Sequence, residues 1–461
     1  MAVAYFRGNL IYIVCWAAFF ITIMMYLTDE DIDTGIINSD SNATLNGQSE
    51  ISRMFKQHIV CEKGINLTVI TLNLTSQHEK GIPVSKVPDV SCPGILQNNK
   101  DAIQQAIDEL NATVKVGVAP TVYKNLTNSC IEFHQTRRYI MKPTSKLEFD
   151  FPIAFDIIMY KDIEQMERLL RAIYRPWNYY CIHVDQKSGS ELFEGVQGIA
   201  SCLPNVETAS TRIGVRWGAF SVLNANLICM RDLFKKKKWK YYINLTGQEF
   251  PMRTNLELVH ILKAFNGSNN MKGTVEKAVS RRWGRQAGLE KLQLNMTMTK
   301  GEVHIVATRN FVDFVLHSNI SKIFLEWVKG TAIPDETFFT ALNHNPQLGV
   351  PGAYKGIPET NFHSYPFLAR WKHWANRHWY PNGPCNGKWN KAICIMGIRD
   401  LHYMATDPHL FVNKLHLSFQ HFALDCLEQH YFQRVLREYE TKRPAINISY
   451  YEQFAFVKNH V

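Results

Sequence analysis

One stretch, Phe151 to Pro251, constrains the fold more than any other. It opens on an apolar run, Pro152-Ile153-Ala154-Phe155-Asp156-Ile157-Ile158-Met159-Tyr160, which predicts a buried strand. Ile163, Met166, Leu169, Leu170 and Ile173 then recur at helical spacing. A second strand, Tyr179 to Asp185, ends on a carboxylate. Two more rounds follow: a helix to about Leu203 with strand Val206–Ala209, then a helix from Trp217 with strand Trp239–Leu245. Strands alternating with amphipathic helices predict an α/β fold on a parallel sheet. Ligands of such sheets sit beyond the carboxyl ends of the strands, so Asp185 and the loop after Leu245 are expected to face the crevice. Neither G-x-G-x-x-G nor G-x-x-x-x-G-K-[ST] opens a helix here. A nucleotide bound at this sheet needs other partners for its phosphates.

The chain is 461 residues long, enough for one large domain or two smaller ones with appendages. Its 51 Lys and Arg against 41 Asp and Glu leave a surplus of +10, which suits anionic ligands. The dense run Lys235–Lys238 precedes a strand and reads as a solvated helix end rather than a nucleic-acid patch. No nucleic-acid motif accompanies it, so no nucleic-acid partner is expected.

Leu10 to Leu27 is uncharged and apolar apart from Thr22, long enough to cross a thin bilayer. No small-residue cleavage site follows it, and Arg7 precedes it while Asp29, Glu30, Asp31 and Asp33 follow. The positive-inside rule then predicts a single-pass type II anchor: tail 1–9, span 10–27, and the rest in a lumen. Ten N-x-[ST] sequons agree with luminal exposure, although Asn244 falls in a core strand and is expected to stay unmodified. Cys15 lies in the span. The other nine of the ten cysteines face an oxidising compartment, so most are expected to pair, with one left over. They lack C-x-x-C pairs, and no zinc site is expected.

Residues 28–120 are read as a luminal stem and 121–461 as the compact domain. Asp101–Leu110 predicts a short helix, and Thr254, three residues before Glu257, predicts a capped helix to Phe265. A strand at His304–Thr308, helices at Asn310–Leu316 and Ile320–Val328, a structured loop over 365–394 and a long helix Phe419–Glu438 complete the order.

Candidate chemistry is sparse. Pro334-Asp335-Glu336 opens a helix, where a carboxylate pair is either a terminus device or, beside a crevice, a base for a hydroxyl nucleophile. Lys391 and Lys414 bracket the last strands; each reads as a solvated lysine unless both converge on one phosphate. Trp371, His373 and Trp374 either stack on a sugar face or pack.

Phe151-Pro152-Ile153-Ala154, Leu169-Leu170-Arg171-Ala172-Ile173-Tyr174, Tyr180-Cys181-Ile182-His183-Val184-Asp185, Gly198-Ile199-Ala200-Ser201-Cys202, Tyr242-Ile243-Asn244-Leu245, Pro334-Asp335-Glu336 and Asn413-Lys414 occur in this order. With them the chain, from about Ser91 to the last long helix, resembles the animal β-1,6-N-acetylglucosaminyltransferases that make core 2 and I branches. The resemblance implies a GT-A fold, a Rossmann-like nucleotide-binding sheet with an appended acceptor-binding region. It also implies inverting transfer of N-acetylglucosamine from UDP-GlcNAc to a 6-hydroxyl of galactose or N-acetylgalactosamine on a glycoprotein or glycolipid glycan. The expected location is the Golgi membrane. No cofactor and no metal ion are expected, because basic side chains take the place of an Asp-x-Asp metal site.

By position, Glu336 is then the general base. Lys414 and Lys391 hold the diphosphate, with Lys391 standing where relatives carry arginine. Ile158, Asp185 and Trp217 fall on the uridine side, Trp217 replacing a tyrosine. Arg282, Trp371 and His373 fall on the acceptor side, His373 replacing a tyrosine. Further departures are Val279 for an acceptor lysine, Lys272 near an acceptor glutamate, and Gly301-Glu302-Val303-His304 for a Gly-Ser/Thr-Ala-aromatic block. The family's bridges map to Cys92–Cys426, Cys130–Cys202, Cys181–Cys229 and Cys385–Cys394. Its free cysteine is Thr246 here, and Cys61 is left over, either free or linking two chains as a homodimer. Two alternatives remain: a related transferase using UDP-glucose or UDP-xylose, and a silent luminal glycan-binding protein, which intact Glu336 and Lys414 oppose.

Overall fold

The computed structural model describes residues 87–112, 117–276, 282–283, 294–375 and 384–461. The anchor and tail expected over 1–27, Cys61 and Val279 lie outside the described residues. No helix among the described residues is long and apolar enough to cross a membrane.

The main sheet contains β1 (Ile153–Met159), β2 (Tyr179–Val184), β3 (Val206–Thr208) and β4 (Tyr241–Thr246). After β5 (Glu249–Pro251), which belongs elsewhere, it adds β6 (Asn270–Met271) and β7 (Ile305–Thr308). The spatial order is β3-β2-β1-β4-β7-β6. β1 runs parallel to β2 and β4, and β2 parallel to β3. β7 is antiparallel to both β4 and β6, so the expected parallel sheet is mixed at one edge.

Both faces of β1 are covered, which is why its sequence is apolar throughout. Ile153, Phe155, Ile157 and Met159 pack with Met166, Leu169 and Leu170 of the helix Ile163–Ile173, while Ala154 packs with Leu223 and Leu227 of the helix Phe220–Phe234. Asp156 is the polar exception on β1. It is fully buried and accepts a 2.7 Å hydrogen bond from the Tyr242 hydroxyl, and burial pushes its carboxyl well above the usual range.

A second sheet, β5-β11-β8, contains β8 (Arg370–Trp371) and β11 (Phe411–Asn413). The region expected to be a structured loop thus carries β8 and also β9 (Lys388–Asn390), which forms a hairpin with β10 (Ile393–Ile395), the strand expected directly after Lys391. Two other expectations shift. The helix expected from Trp217 begins at Phe220, because Gly218 adopts φ +73° and turns the chain. Pro334–Glu336 forms a separate 3₁₀ turn ahead of the helix Phe338–Asn343. The helix Asn255–Ala264 is capped by Thr254 and Glu257 as expected, with reciprocal bonds of 3.2 and 2.9 Å.

All four expected disulfides are present. Cys181–Cys229 fastens β2 to the helix Phe220–Phe234, and Cys385–Cys394 ties the start of the hairpin to β10. Cys92–Cys426 joins the helix Cys92–Leu96 to the long helix His421–Thr441. Val87, Ile95, Ile103 and Ala106, which the sequence places in the stem, are buried in one cluster with Phe422, Leu427 and Phe432.

His344 is buried with its ring nitrogens 2.7 Å from the Thr340 carbonyl and 2.6 Å from the Tyr365 hydroxyl. Burial holds its pKa down at about 4. A histidine depressed on folding takes up its proton more readily in the unfolded chain. Its contribution to stability is present above about pH 6.5 and is lost as the pH falls toward 4. The urea midpoint is therefore expected to drop between pH 6.5 and 4.5, and His344→Gln to shrink that drop. An identical pH slope in the variant would assign the acid sensitivity elsewhere.

Candidate active site

The crevice lies beyond the carboxyl ends of β1, β2 and β4. Three contacts shape it, two of them between backbone groups: the Asp185 N–H donates to the Met159 carbonyl at 2.8 Å, and the Gly247 N–H to that of Ile158 at 3.0 Å. Gly247 allows this close approach, since a Cβ would sit a tight 3.0 Å from the Cβ of Met159. The third is made by the Asp185 side chain, whose Oδ1 accepts from the Lys187 and Val215 N–H groups at 2.9 and 3.3 Å. This carboxylate folds the 213–216 loop over the end of β2, with Arg212 donating to the Val184 and Asp185 carbonyls. Trp217 follows, 84% exposed, a large flat ring with nothing laid over it among the described residues.

The same rim carries Glu336. Ile333, at φ +54°, donates its N–H to the Gly218 carbonyl at 3.0 Å, which sets the Pro334–Glu336 turn against the Trp217 loop. Ala332 donates to the Arg282 carbonyl at 3.1 Å, and Arg282 Nη1 donates to Glu336 Oε2 at 2.7 Å. Asp185, Trp217, Arg282 and Glu336 thus share one chain of short contacts. Asp335 turns inward, and burial, then the Glu336 charge, raises its pKa to about 7. Of the two neighbouring acids, Glu336 is the partly exposed one.

Across the crevice the organising residue is Glu249, which sequence reading missed. It is fully buried on β5 and accepts from Arg370 Nε at 2.8 Å and Asn413 Nδ2 at 2.8 Å. His304 Nε2 lies 2.8 Å from its other contacts' oxygen, Oε1, and Thr246 Oγ1 donates to the same atom at 3.1 Å. Burial alone would raise this carboxyl, but Arg370 and then His304 hold it at about 2. Thr246, at the position of the family's free cysteine, therefore has a polar task. Lys414 follows β11 directly. Burial lowers its pKa, opposed by Glu249 and assisted by Lys161.

The two sides are linked. The Gly301 N–H donates to the Glu336 carbonyl at 2.8 Å, and the next residue, Glu302, is ion-paired with both Lys272 and Lys372. Lys372 Nζ in turn lies 3.1 Å from His304 Nδ1. The departures at Lys272 and Gly301–His304, scattered in sequence, form one charged network between Glu336 and Glu249.

Other expected site residues sit differently. Trp371 and His373 are each 2% exposed, with rings 4.6 Å apart, and Trp371 packs in a core cluster with Phe250 and Cys394. Burial lowers the His373 pKa to about 4. These two residues lie in the interior. Lys391 is exposed at φ +55° in the turn between β9 and β10. Ile158, at the end of β1, is half-buried beside the crevice floor.

Residues 153–405 match the family model described as Branch: Core-2/I-Branching enzyme. A sheep protein named beta-1,3-galactosyl-O-glycosyl-glycoprotein beta-1,6-N-acetylglucosaminyltransferase 3 is 35% identical, over 76% of this chain and 84% of its own. A human protein of the same name without the numeral is 34% identical, over 80% of this chain and 94% of its own. Among solved structures, the mannosyltransferase Ktr4p of S. cerevisiae in complex with GDP covers 58% of this chain and 80% of its own. Its TM-score of 0.27 at 10% identity is too low to bear on the fold. The chain belongs to the Core-2/I-Branching enzyme family and is a glycosyltransferase.

Proposed function

We propose that this enzyme has a GT-A fold and transfers N-acetylglucosamine from UDP-GlcNAc, with inversion, in β-1,6 linkage. The acceptor is a galactose or N-acetylgalactosamine of an O-glycan or poly-lactosamine chain. The observation that carries the reading is the Glu336 carboxylate, oriented by Arg282 at 2.7 Å beside the exposed Trp217 ring. The names of the sheep and human relatives support the sugar and the linkage.

In the proposed reaction Glu336 takes the proton of the acceptor 6-hydroxyl while its oxygen attacks the anomeric carbon. The bond from that carbon to the β-phosphate oxygen breaks, and UDP leaves with the electron pair. A diphosphate needs its new charge stabilised rather than a proton delivered, so one carboxylate suffices and lysines stand at the leaving group. Trp217 is assigned to stacking on uracil, and Asp185 to the uridine. The reading places the enzyme in the Golgi membrane with its catalytic part luminal and needs no metal ion.

Lys414→Ala is expected to weaken UDP affinity by roughly 10- to 100-fold, the weight of a hydrogen bond to a charged group, and to lower turnover with it. Calorimetry that finds neither change would remove Lys414 from the diphosphate. The donor is tested by offering UDP-GlcNAc, UDP-glucose and UDP-xylose to one acceptor and assigning the anomer by NMR. The reading requires UDP-GlcNAc to dominate and the product to be β. A preference for UDP-glucose or UDP-xylose would overturn the donor assignment.

A further inference from the structure

The floor of the crevice gathers more positive charge than Lys414 alone. Lys161 follows β1, Lys414 and His416 follow β11, and Lys388 lies on β9. Backbone bonds bring the first two exits together: Gly247 N–H donates to the Ile158 carbonyl, and Leu415 N–H to the Gln248 carbonyl, each at 3.0 Å. Gln165, fully buried in the first turn of the helix Ile163–Ile173, clamps the β11 exit from the other side. Its Nε2 donates to the Leu415 carbonyl at 2.9 Å, and its Oε1 accepts from the Leu417 N–H at 3.0 Å.

His416 is the residue between the two clamped ones, so its backbone is fixed at the β11 exit. Lys161, Lys414 and Lys388 all act electrostatically on its imidazole, with Asp162 as the opposing charge. Asp162 lies 3.3 Å from Lys161 Nζ, and Glu249 beneath Lys414 is already engaged by Arg370. Lys388 Nζ is 4.3 Å from the centre of the Phe419 ring, which places it over the segment that follows His416. His416 Nε2 is buried with no hydrogen-bond partner among the described residues. Burial, then Lys161 and Lys414, holds this histidine at about 4, hence neutral. Like charges brought together around an unsatisfied ring nitrogen repel one another, and an anion entering between them relieves that repulsion.

We propose that Lys161 and Lys388 join Lys414 in one cationic cradle that binds the diphosphate of the donor, with His416 as a hydrogen-bonding member through Nε2. The proposal rests on the UDP-sugar reading above and adds three residues that neither motif nor resemblance assigned. Lys161 and His416 reach the diphosphate from the β1 and β11 exits, and Lys388 from the hairpin. The cradle also stabilises the negative charge that the departing diphosphate gains when the anomeric carbon–oxygen bond breaks.

The test measures dissociation constants for UDP and for uridine in the full-length chain, in wild type, Lys161→Gln, Lys388→Gln, His416→Asn and Lys414→Ala. Each of the three new variants is expected to weaken UDP about fivefold, the range of a charge-assisted contact at a partly exposed site, and to leave uridine within about twofold. Equal losses for UDP and uridine would mean a disturbed fold rather than a lost phosphate contact, and would overturn the cradle. Wild-type UDP affinity in all three, with Lys414→Ala weakened, would also overturn it while leaving the UDP-sugar reading intact. A wild-type chain that binds no UDP would defeat that reading, and the cradle with it.

Discussion

Glu336→Gln is expected to lower turnover by about 10²-fold or more and to leave UDP affinity nearly unchanged. Glutamine keeps the shape of the side chain and still accepts the hydrogen bond that Arg282 Nη1 gives to Oε2. The 3₁₀ turn Pro334–Glu336 and its link to Gly218 are set by backbone bonds, so neither depends on the charge. Only the capacity to take a proton is lost. Rate loss with intact UDP binding would identify proton abstraction as the missing step. Full turnover would remove Glu336 from the chemistry. Loss of both rate and UDP binding would show that the carboxylate supports the donor site instead.

Arg370→Met is expected to cost about 3–5 kcal/mol of folding stability, the usual penalty for stranding a buried charge. Arg370 and Glu249 are both fully buried, and the Nε–Oε2 bond is 2.8 Å. Without the guanidinium, Glu249 keeps Asn413, Thr246 and His304, but burial favours the neutral form of His304. The sign in pH follows. Glu249 is held at about 2, so its contribution is present above about pH 4.5 and is lost as the pH falls toward 2. Without Arg370, burial raises the folded-state pKa of Glu249, so the variant should lose less stability than wild type as the pH falls from 4.5 toward 2, and the gap between them should narrow in acid. A second substitution, Glu249→Leu, should recover much of the loss by removing the orphaned charge. Urea denaturation of the single and double variants measures both effects, and an Arg370→Met chain as stable as wild type would contradict them.

The main sheet was legible because its signals are local. β1, β2, β3 and β4 are short apolar runs bounded by helical periodicity, and each lies within a residue or two of its expected limits. The rim was legible only as separate residues: Asp185, Trp217, Arg282 and Glu336 are joined by bonds no spacing reveals. The floor was not legible. Glu249 finds Arg370 at a separation of 121 residues and Asn413 at 164, and its own neighbours in sequence, Gln248 and Phe250, give no hint of them. Trp371 and His373, read as either stacking on a sugar face or packing, stayed open in the sequence for a related reason. Aromatic density reads alike in a core and on a sugar platform, and the pairing of β8 with β11 decided between them. Lys161 and His416 carry no signal in the sequence, because the Gln165 bonds that fix the β11 exit span 250 and 252 residues.

The central claim is β-1,6 transfer of N-acetylglucosamine, and one assay reaches it most directly. Full-length protein is given UDP-GlcNAc with Galβ1-3GalNAc and, separately, with a lactosamine acceptor, each with and without EDTA. The account predicts transfer to at least one acceptor, a β-1,6 linkage in the product, and a rate unchanged by EDTA. No transfer to either acceptor, by a chain that still binds UDP, would contradict it.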